Sequence, residues 1–358
     1  MDKFYVDKCD MLACRSYTRL DTGSLNILIR LLILILLLVS CMVLSILLGD
    51  VSIDAETTLR TLLSPGQASG DFSDIIWQVR LPRVLIALVV GAALSVSGYI
   101  LQVLTRNNLA DPYLTGVSSG ACVCVALAVA LGLNFDLVPF AGLAGGLAAS
   151  VIVAYVARSH DYQGLSVTRL LLAGVVLSTF LIALTSLVIF LSGNPVLAQG
   201  LLYWLAGGIS GKSWSEFWPG MVYTIIGIVG AFFLSKQLRL LSLGKDYAAS
   251  LGAPVAKIQW SCLIVAVLLC GAAVALSGLV VFVGLIDTNL SRQLFASYVL
   301  LQIFTCAAIG GILVLLSDLC ARMLIPSQEL PLGTLLSLLG GFFFLTLMAR
   351  DKGEITIK

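Results

Sequence analysis

RLPRVLIALVVGAALSVSGYILQVLTRNNLADPYLTGVSSG, residues Arg80 to Gly120, decides how this chain folds. A charged turn, Arg80-Leu81-Pro82-Arg83, leads into a long apolar run on which Gly91, Ser95 and Gly98 share one helical face. Small residues in such a stripe let a second helix backbone come close, which is how helices associate inside lipid. A polar corner, Asn107 to Pro112, ends the run, because Pro112 lacks an N–H and restricts Asp111 before it. A second apolar run follows.

The rest of the chain has the same character. Of 358 residues, 59% are hydrophobic and 11% charged, with a mean hydropathy of +1.05. A soluble domain carries about 25% charged residues, so this composition belongs to the polytopic helical membrane class. A net charge of +2 offers no footing for nucleic acid. The nine cysteines lie scattered without a CxxC pair, which suits small buried hydrophobes better than a disulfide framework or zinc site. His160 is the single histidine, so a multi-histidine metal site is excluded. Residues 1–26 are too long and too mixed in charge for the start of a cleavable signal, and the apolar run 27–48 is long enough to span.

Ten apolar segments are expected to be helices, since lipid leaves no water for free backbone groups. They are 27–48, 84–104, 114–132, 137–156, 170–191, 218–234, 258–276, 279–286, 299–316 and 332–348. The eighth is short. Ten crossings with an inner N-terminus leave Arg60, Arg80, Arg83, Lys212 and Arg322 outside and the other cations inside, as the positive-inside rule prefers. Without the eighth, Arg292, Arg350, Lys352 and Lys358 would move out and only Arg322 would move in.

An internal repeat is visible. GAALSVSG (Gly91–Gly98) recurs as GAAVALSG (Gly271–Gly278) on crossings two and seven, so the copies point opposite ways through the membrane. Inverted repeats are a recurring construction of transporters, although small apolar tracts also recur by chance. The predicted fold is all-α: a polytopic membrane protein of about ten helices with an inverted repeat. Its parts are a tail (1–26), a transmembrane domain (27–349) with a polar inner loop near 243–256, and a tail (350–358).

Two nucleotide-site imitations fail. Ala206 to Ser213 (AGGISGKS) resembles a relaxed P-loop but sits between Trp204 and Trp214 with no strand before it. Val280 to Asp287 (VVFVGLID) imitates the strand and acid of an ATPase without any other signature of one. The inner loop Leu243 to Pro254 is different: its short helix-forming stretches are bounded by glycine and proline. They fit either a surface helix at the headgroups or a docking element for a partner.

RLPR, GAALSVSG, Gln102, NNLADP, TGVSSGA, SLGAPV, FVGLI, SDLCAR and ELPLG, in order from Arg80 to Met348, resemble the iron-chelate and vitamin B12 ABC importer permeases, the FecCD-type family. The resemblance implies a ten-helix subunit paired with an identical or homologous permease. It also implies two cytoplasmic ATPase subunits, which hold the ATP and Mg while this chain binds no cofactor, and a periplasmic or lipid-anchored binding protein. The family's ATPase-coupling segment falls on Lys245–Pro254, with Lys245, Asp246, Ala249, Ser250, Leu251 and Gly252 as its residues. Its outer cations, which meet acids on the binding protein, fall on Arg80, Arg83 and Arg322, where an arginine fork can pair bidentately with carboxylates. The other possibility is interfacial anchoring, and for Arg322 an i,i+4 pair with Asp318.

Crossing five, the segment after it and crossing ten line the path in this family. Asn194-Pro195 marks the break after crossing five, and Gly91, Ser95, Gly98, Gly271 and Gly278 serve helix packing. The sequence departs from the family after FVGLI, where Asp287-Thr288-Asn289-Leu290-Ser291-Arg292 replaces a valine-proline-histidine run; Asp287 reads as a solvated loop acid or a contact to Arg292. The expected role is a bacterial inner-membrane permease, both termini cytoplasmic, importing an iron-siderophore or related chelate, with haem or vitamin B12 as alternatives. An ion-coupled secondary transporter is the alternative of another class; such proteins bury ionisable residues mid-helix, and most of the apolar runs here lack them.

Overall fold

The structure is a computed structural model that describes residues 27–49, 53–63, 71–133, 137–158, 164–193, 195–295, 298–325 and 329–350. The tails 1–26 and 351–358, with His160 and Asn194, lie outside the described residues. The described chain is helical. Its helices are α1 (Ile27–Leu47), α2 (Ala55–Leu63), α3 (Leu81–Thr105), α4 (Val117–Ala130), α5 (Val138–Val156), α6 (Val167–Ser192) and α7 (Pro195–Ala206). Then follow α8 (Trp214–Phe233), α9 (Ser235–Leu243), α10 (Lys245–Ser250), α11 (Val255–Ser277), α12 (Val283–Phe295), α13 (Val299–Met323) and α14 (Leu332–Arg350). Seven of them contain spans long and apolar enough to cross a membrane: α1, α3, α5, α6, α8, α11 and α13; α4 and Leu332–Phe343 of α14 are shorter apolar helices.

The core lies around α3 and α11. The most apolar window of the α3 span is 83% buried and that of α11 72%, against 11% each for α1 and α6. The small-residue stripe explains the centre. A methyl on Gly98 would lie 2.8 Å from the Gly284 Cα of α12, and one on Gly91 would lie 2.7 Å from the Gly311 nitrogen of α13. Between them the Ser95 hydroxyl donates to the Asp287 carboxylate. In the second copy of the repeat, a methyl on Gly271 would lie 2.9 Å from Leu143 Cδ1 of α5, and Gly278 (φ +67°) ends α11 beside Gly207.

The two halves run the same order of elements in opposite directions. Central α3 (25 residues) is followed by the corner 106–116, short α4 (14 residues) and α5. Central α11 (23 residues) is followed by the unwound segment 278–282, short α12 (13 residues) and α13. The end of α3 and the start of α11 line one cavity, so these two helices are antiparallel. Across the halves, α3 packs on α13 as α11 packs on α5.

Two expectations need correction. Arg80 to Arg83 is no turn: a π-helical stretch, Ile75–Arg80, runs straight into α3, with Pro82 in the first turn of that helix. Proline is tolerated there because its missing N–H falls where a helix has spare donors. The eighth helix is also not 279–286. Residues 278–282 are unwound and the helix runs from Val283 to Phe295, with Asp287, Thr288 and Ser291 buried. Hydropathy missed it because these polar side chains bond within the protein: Thr288 to Gly284 O (2.7 Å), Ser291 to Thr305, and Asp287 with Ser95.

Candidate functional site

Three regions carry the residues singled out in the sequence. At one end of the bundle, Arg80, Arg83 and Arg322 come together, only 4%, 9% and 6% exposed. Arg80 donates to the Ile46 and Leu47 carbonyls (2.7 and 3.1 Å), satisfying orphan acceptors at the C-terminus of α1. Arg83 donates to both oxygens of Asp318 (3.0 to 3.2 Å) and to Glu329 (2.9 Å). Arg322 makes the i,i+4 pair with Asp318 (3.2 Å) and reaches Ser45 Oγ (2.7 Å). Glu329 also accepts from Ser210 in the α7–α8 loop. Burial pushes the Glu329 carboxyl up, but hydrogen bonds from Arg83 and Ser210 and nearby guanidinium charge outweigh it and hold the group below the usual carboxylate range. All three guanidinium groups are thus turned into the chain, knitting α1, α3 and α13 together.

At the other end, α10 stands out from the bundle. Gly244 (φ +120°) and Gly252 (φ +77°) bound it, conformations that a side chain would strain, so this short helix is cut off cleanly from α9 and α11. Ala248 is its buried anchor, while Lys245, Asp246, Tyr247, Ala249, Ser250, Leu251 and Gly252 are exposed. Tyr247 and Leu251 are 55% and 59% exposed. A groove of about 380 Å³ beside it is lined by Lys245, Asp246, Ala249, Pro254 and Lys257. The surface is mixed apolar and charged.

Third, α6, α7 and α14 present broad apolar faces. Phe180, Phe190 and Leu191 of α6 and Leu338, Phe342 and Leu345 of α14 are exposed, and Leu202 and Tyr203 of α7 likewise. Helix α6 stops at Ser192 on Gly193 (φ +56°) and α7 starts at Pro195, so the break after crossing five is present. Asn194 itself lies outside the described residues.

Sequence reasoning misplaced Asp287. It is neither a loop acid nor a partner of Arg292. It is fully buried in α12 against Ser95, and Arg292 instead donates to Gln102 Oε1 (2.9 Å) and Asn108. Gln102 also donates to the Gly284 carbonyl (3.2 Å), joining α3 to α12. The serine stripe of α3 was the signal for such a partner.

Comparison with known proteins agrees with this architecture. Residues 35–350 match the model of the FecCD transport family. The chain is 33% identical over 331 residues to the ferric enterobactin transport system permease protein FepG of Escherichia coli (strain K12), covering 90% of this chain and 97% of that protein. It is 37% identical over 279 residues to the vitamin B12 import system permease protein BtuC of Salmonella typhi, covering 77% and 84%. Among solved structures, an inward-facing conformation of a putative metal-chelate type ABC transporter matches with a TM-score of 0.78 at 30% identity, covering 88% of this chain and 97% of that one. With its helical architecture, this chain belongs to the FecCD transport family and is a membrane transport permease.

Proposed function

We propose that this permease is the membrane-spanning subunit of an ATP-driven importer that carries an iron-siderophore or related metal chelate across a bacterial inner membrane. One observation carries the ATP-driven part: α10, exposed and isolated between two glycines at one end of the bundle. Two cytoplasmic ATPase subunits, holding ATP and Mg, would dock on the α10 surfaces of a permease pair. Their closure would be passed through Lys245–Gly252 to the bundle. The apolar faces of α6, α7 and α14 would meet a second permease and enclose the path, so cargo handling is steric and weakly polar. The end that carries the arginine cluster would face the substrate-binding protein. There the arginines shape the surface from beneath, since their donors are already engaged within the chain. The chelate class rests on relatives named for ferric enterobactin and vitamin B12.

The decisive experiment is uptake into vesicles holding this permease, its ATPase and its binding protein. A ferric siderophore, haem and cyanocobalamin are offered with ATP or with an ion gradient alone. ATP-dependent entry of the ferric siderophore in preference to the other two supports the reading. Entry on a gradient without the ATPase would overturn it in favour of an ion-coupled transporter.

A further inference from the structure

The two breaks of the inverted halves grip each other. From the α3–α4 corner, Tyr113 Oη donates to the Val280 carbonyl (3.0 Å) and accepts from the Val280 amide (3.1 Å). One hydroxyl therefore satisfies both backbone groups of a residue in the unwound segment, where lipid leaves no water to do so. Beside it the Asp111 carboxylate accepts from the Tyr113 amide (2.9 Å) and meets the backbone amide of Phe282. Phe282 holds a φ of +69° without being glycine. Such a conformation is strained for a residue with a side chain and persists only where its surroundings impose it. The Asp111–Tyr113 clamp holds the segment that contains it.

The unwound segment in turn seats α14 at two heights. The Leu279 carbonyl lies against Gly333, and a methyl on Gly340 would meet Cγ of the Phe282 ring at 2.5 Å; these glycines, seven residues apart, share one face of α14. The end of α7 joins the same seat: Gly208 N donates to Ser277 O (2.8 Å) and Gly333 N to Gly207 O (3.1 Å). At its other end the corner reaches α10. A methyl on Gly244 would lie 3.1 Å from Arg106 Nη1, and Thr105 and Arg106 share a cavity of about 450 Å³ with Lys245 and Asp246. A single stretch, Arg106 to Tyr113, therefore touches α10 at one end and the seat of α14 at the other.

We propose that Asp111 and Tyr113 are the positioning residues that carry movement of the α10 face to α14, by holding or releasing the strained Phe282 seat. This rests on reading α10 as the ATPase contact and α14 as a path helix. With the clamp closed, Phe282 is kept left-handed and α14 is held at Gly340. With it open, Phe282 relaxes to negative φ and α14 is freed at that height while Gly333 still holds its start. Two seatings of one helix, biased from the α10 side, supply the differential contact that a coupled motion requires.

The test uses the permease with its ATPase in proteoliposomes and a Phe342→Cys probe on the exposed face of α14. Maleimide labelling of the α14 peptide is read by mass spectrometry without nucleotide and with ATP plus vanadate, alongside ATP hydrolysis. With Tyr113 intact, labelling should depend on nucleotide. In Tyr113→Phe, which keeps the ring and loses both bonds to Val280, ATP hydrolysis should persist and the nucleotide dependence should vanish. Gly340→Ala, which pushes α14 off Phe282 from the other side, should do the same, and decides alone if Tyr113→Phe does not assemble. A purely structural role would lower assembly and hydrolysis together and leave the labelling response of assembled complexes unchanged. Nucleotide-dependent labelling that survives in the variants overturns the inference and leaves the proposed function standing. Labelling that ignores nucleotide even with Tyr113 intact removes the moving role of α14, and the inference with it.

Discussion

Asp318 accepts from two arginines while 1% exposed, so removing Arg83 takes away one of its two partners and also strips Glu329 of its guanidinium. Breaking a buried ion pair from one side costs about 3–5 kcal/mol, far above the 0–1 kcal/mol of a surface pair. Arg83→Ala should therefore lower the melting temperature of the detergent-purified protein by many degrees, and the double variant with Asp318→Asn should recover part of the loss. An unaltered melting temperature in Arg83→Ala would mean that the network carries no stability. Glu329 adds a pH dependence. Its folded-state value lies below the unfolded one, so its carboxylate stabilises the fold above the ordinary glutamate range and that contribution is lost as pH falls through the lowered value. Melting measured from pH 6 down to pH 3.5 should show an acid-induced drop that is smaller in Glu329→Gln. At this scale the sequence was only half informative. The i,i+4 pair of Arg322 and Asp318 could be read from spacing, but Arg83 with Asp318 and Ser95 with Asp287 join positions 235 and 192 residues apart, which no local pattern encodes.

At the scale of elements, what is local was legible. The corner at Asn107–Pro112, the small-residue stripe and the isolated α10 all follow from proline, glycine and helical spacing, and each is present. The eighth helix was misplaced because its polar face is satisfied by α3 and α13, which hydropathy cannot see. The stripe predicts how the helices respond to bulk. Gly98→Leu must displace the Gly284 backbone of α12, and overpacking of this kind costs typically about 1–3 kcal/mol. Its melting temperature should fall, whereas Gly132→Leu, where a side chain would meet nothing within 4 Å, should fall less and only through its φ of +71°. For α10, Leu251→Glu puts charge on an exposed apolar position. It should leave the melting temperature within about 0.5 kcal/mol equivalent of the parent, as surface substitutions do, while co-purification of the ATPase is lost. Retained co-purification would exclude Leu251 from the docking surface.

Across the whole molecule, the two halves are copies run in opposite directions, each with a break after its central helix, and the breaks meet where Tyr113 joins Val280. This makes orientation testable in one experiment. Single cysteines at Tyr247 and at Lys212, probed in sealed right-side-out cells with an impermeant maleimide, should label only at Lys212 until the membrane is opened. The reverse pattern would invert the placement of every partner proposed above. Architecture was the most legible scale of all, because apolar run length and the proline-broken corner are physical properties of the chain itself. Which runs lie at the centre was not, since α1 has the highest mean hydropathy of the spans and is among the least buried.

That last helix has an unusual hold on the protein. Its C-terminal carbonyls are tied down by Arg80 and its Ser45 by Arg322, 277 residues further along. A ribosome adding roughly 5–20 residues per second needs on the order of 15–55 s to supply that second tie. During biosynthesis, then, α1 must wait in the bilayer on its greasiness and the early tie from Arg80, and a nascent chain cut short before Arg322 would leave Ser45 without its late partner.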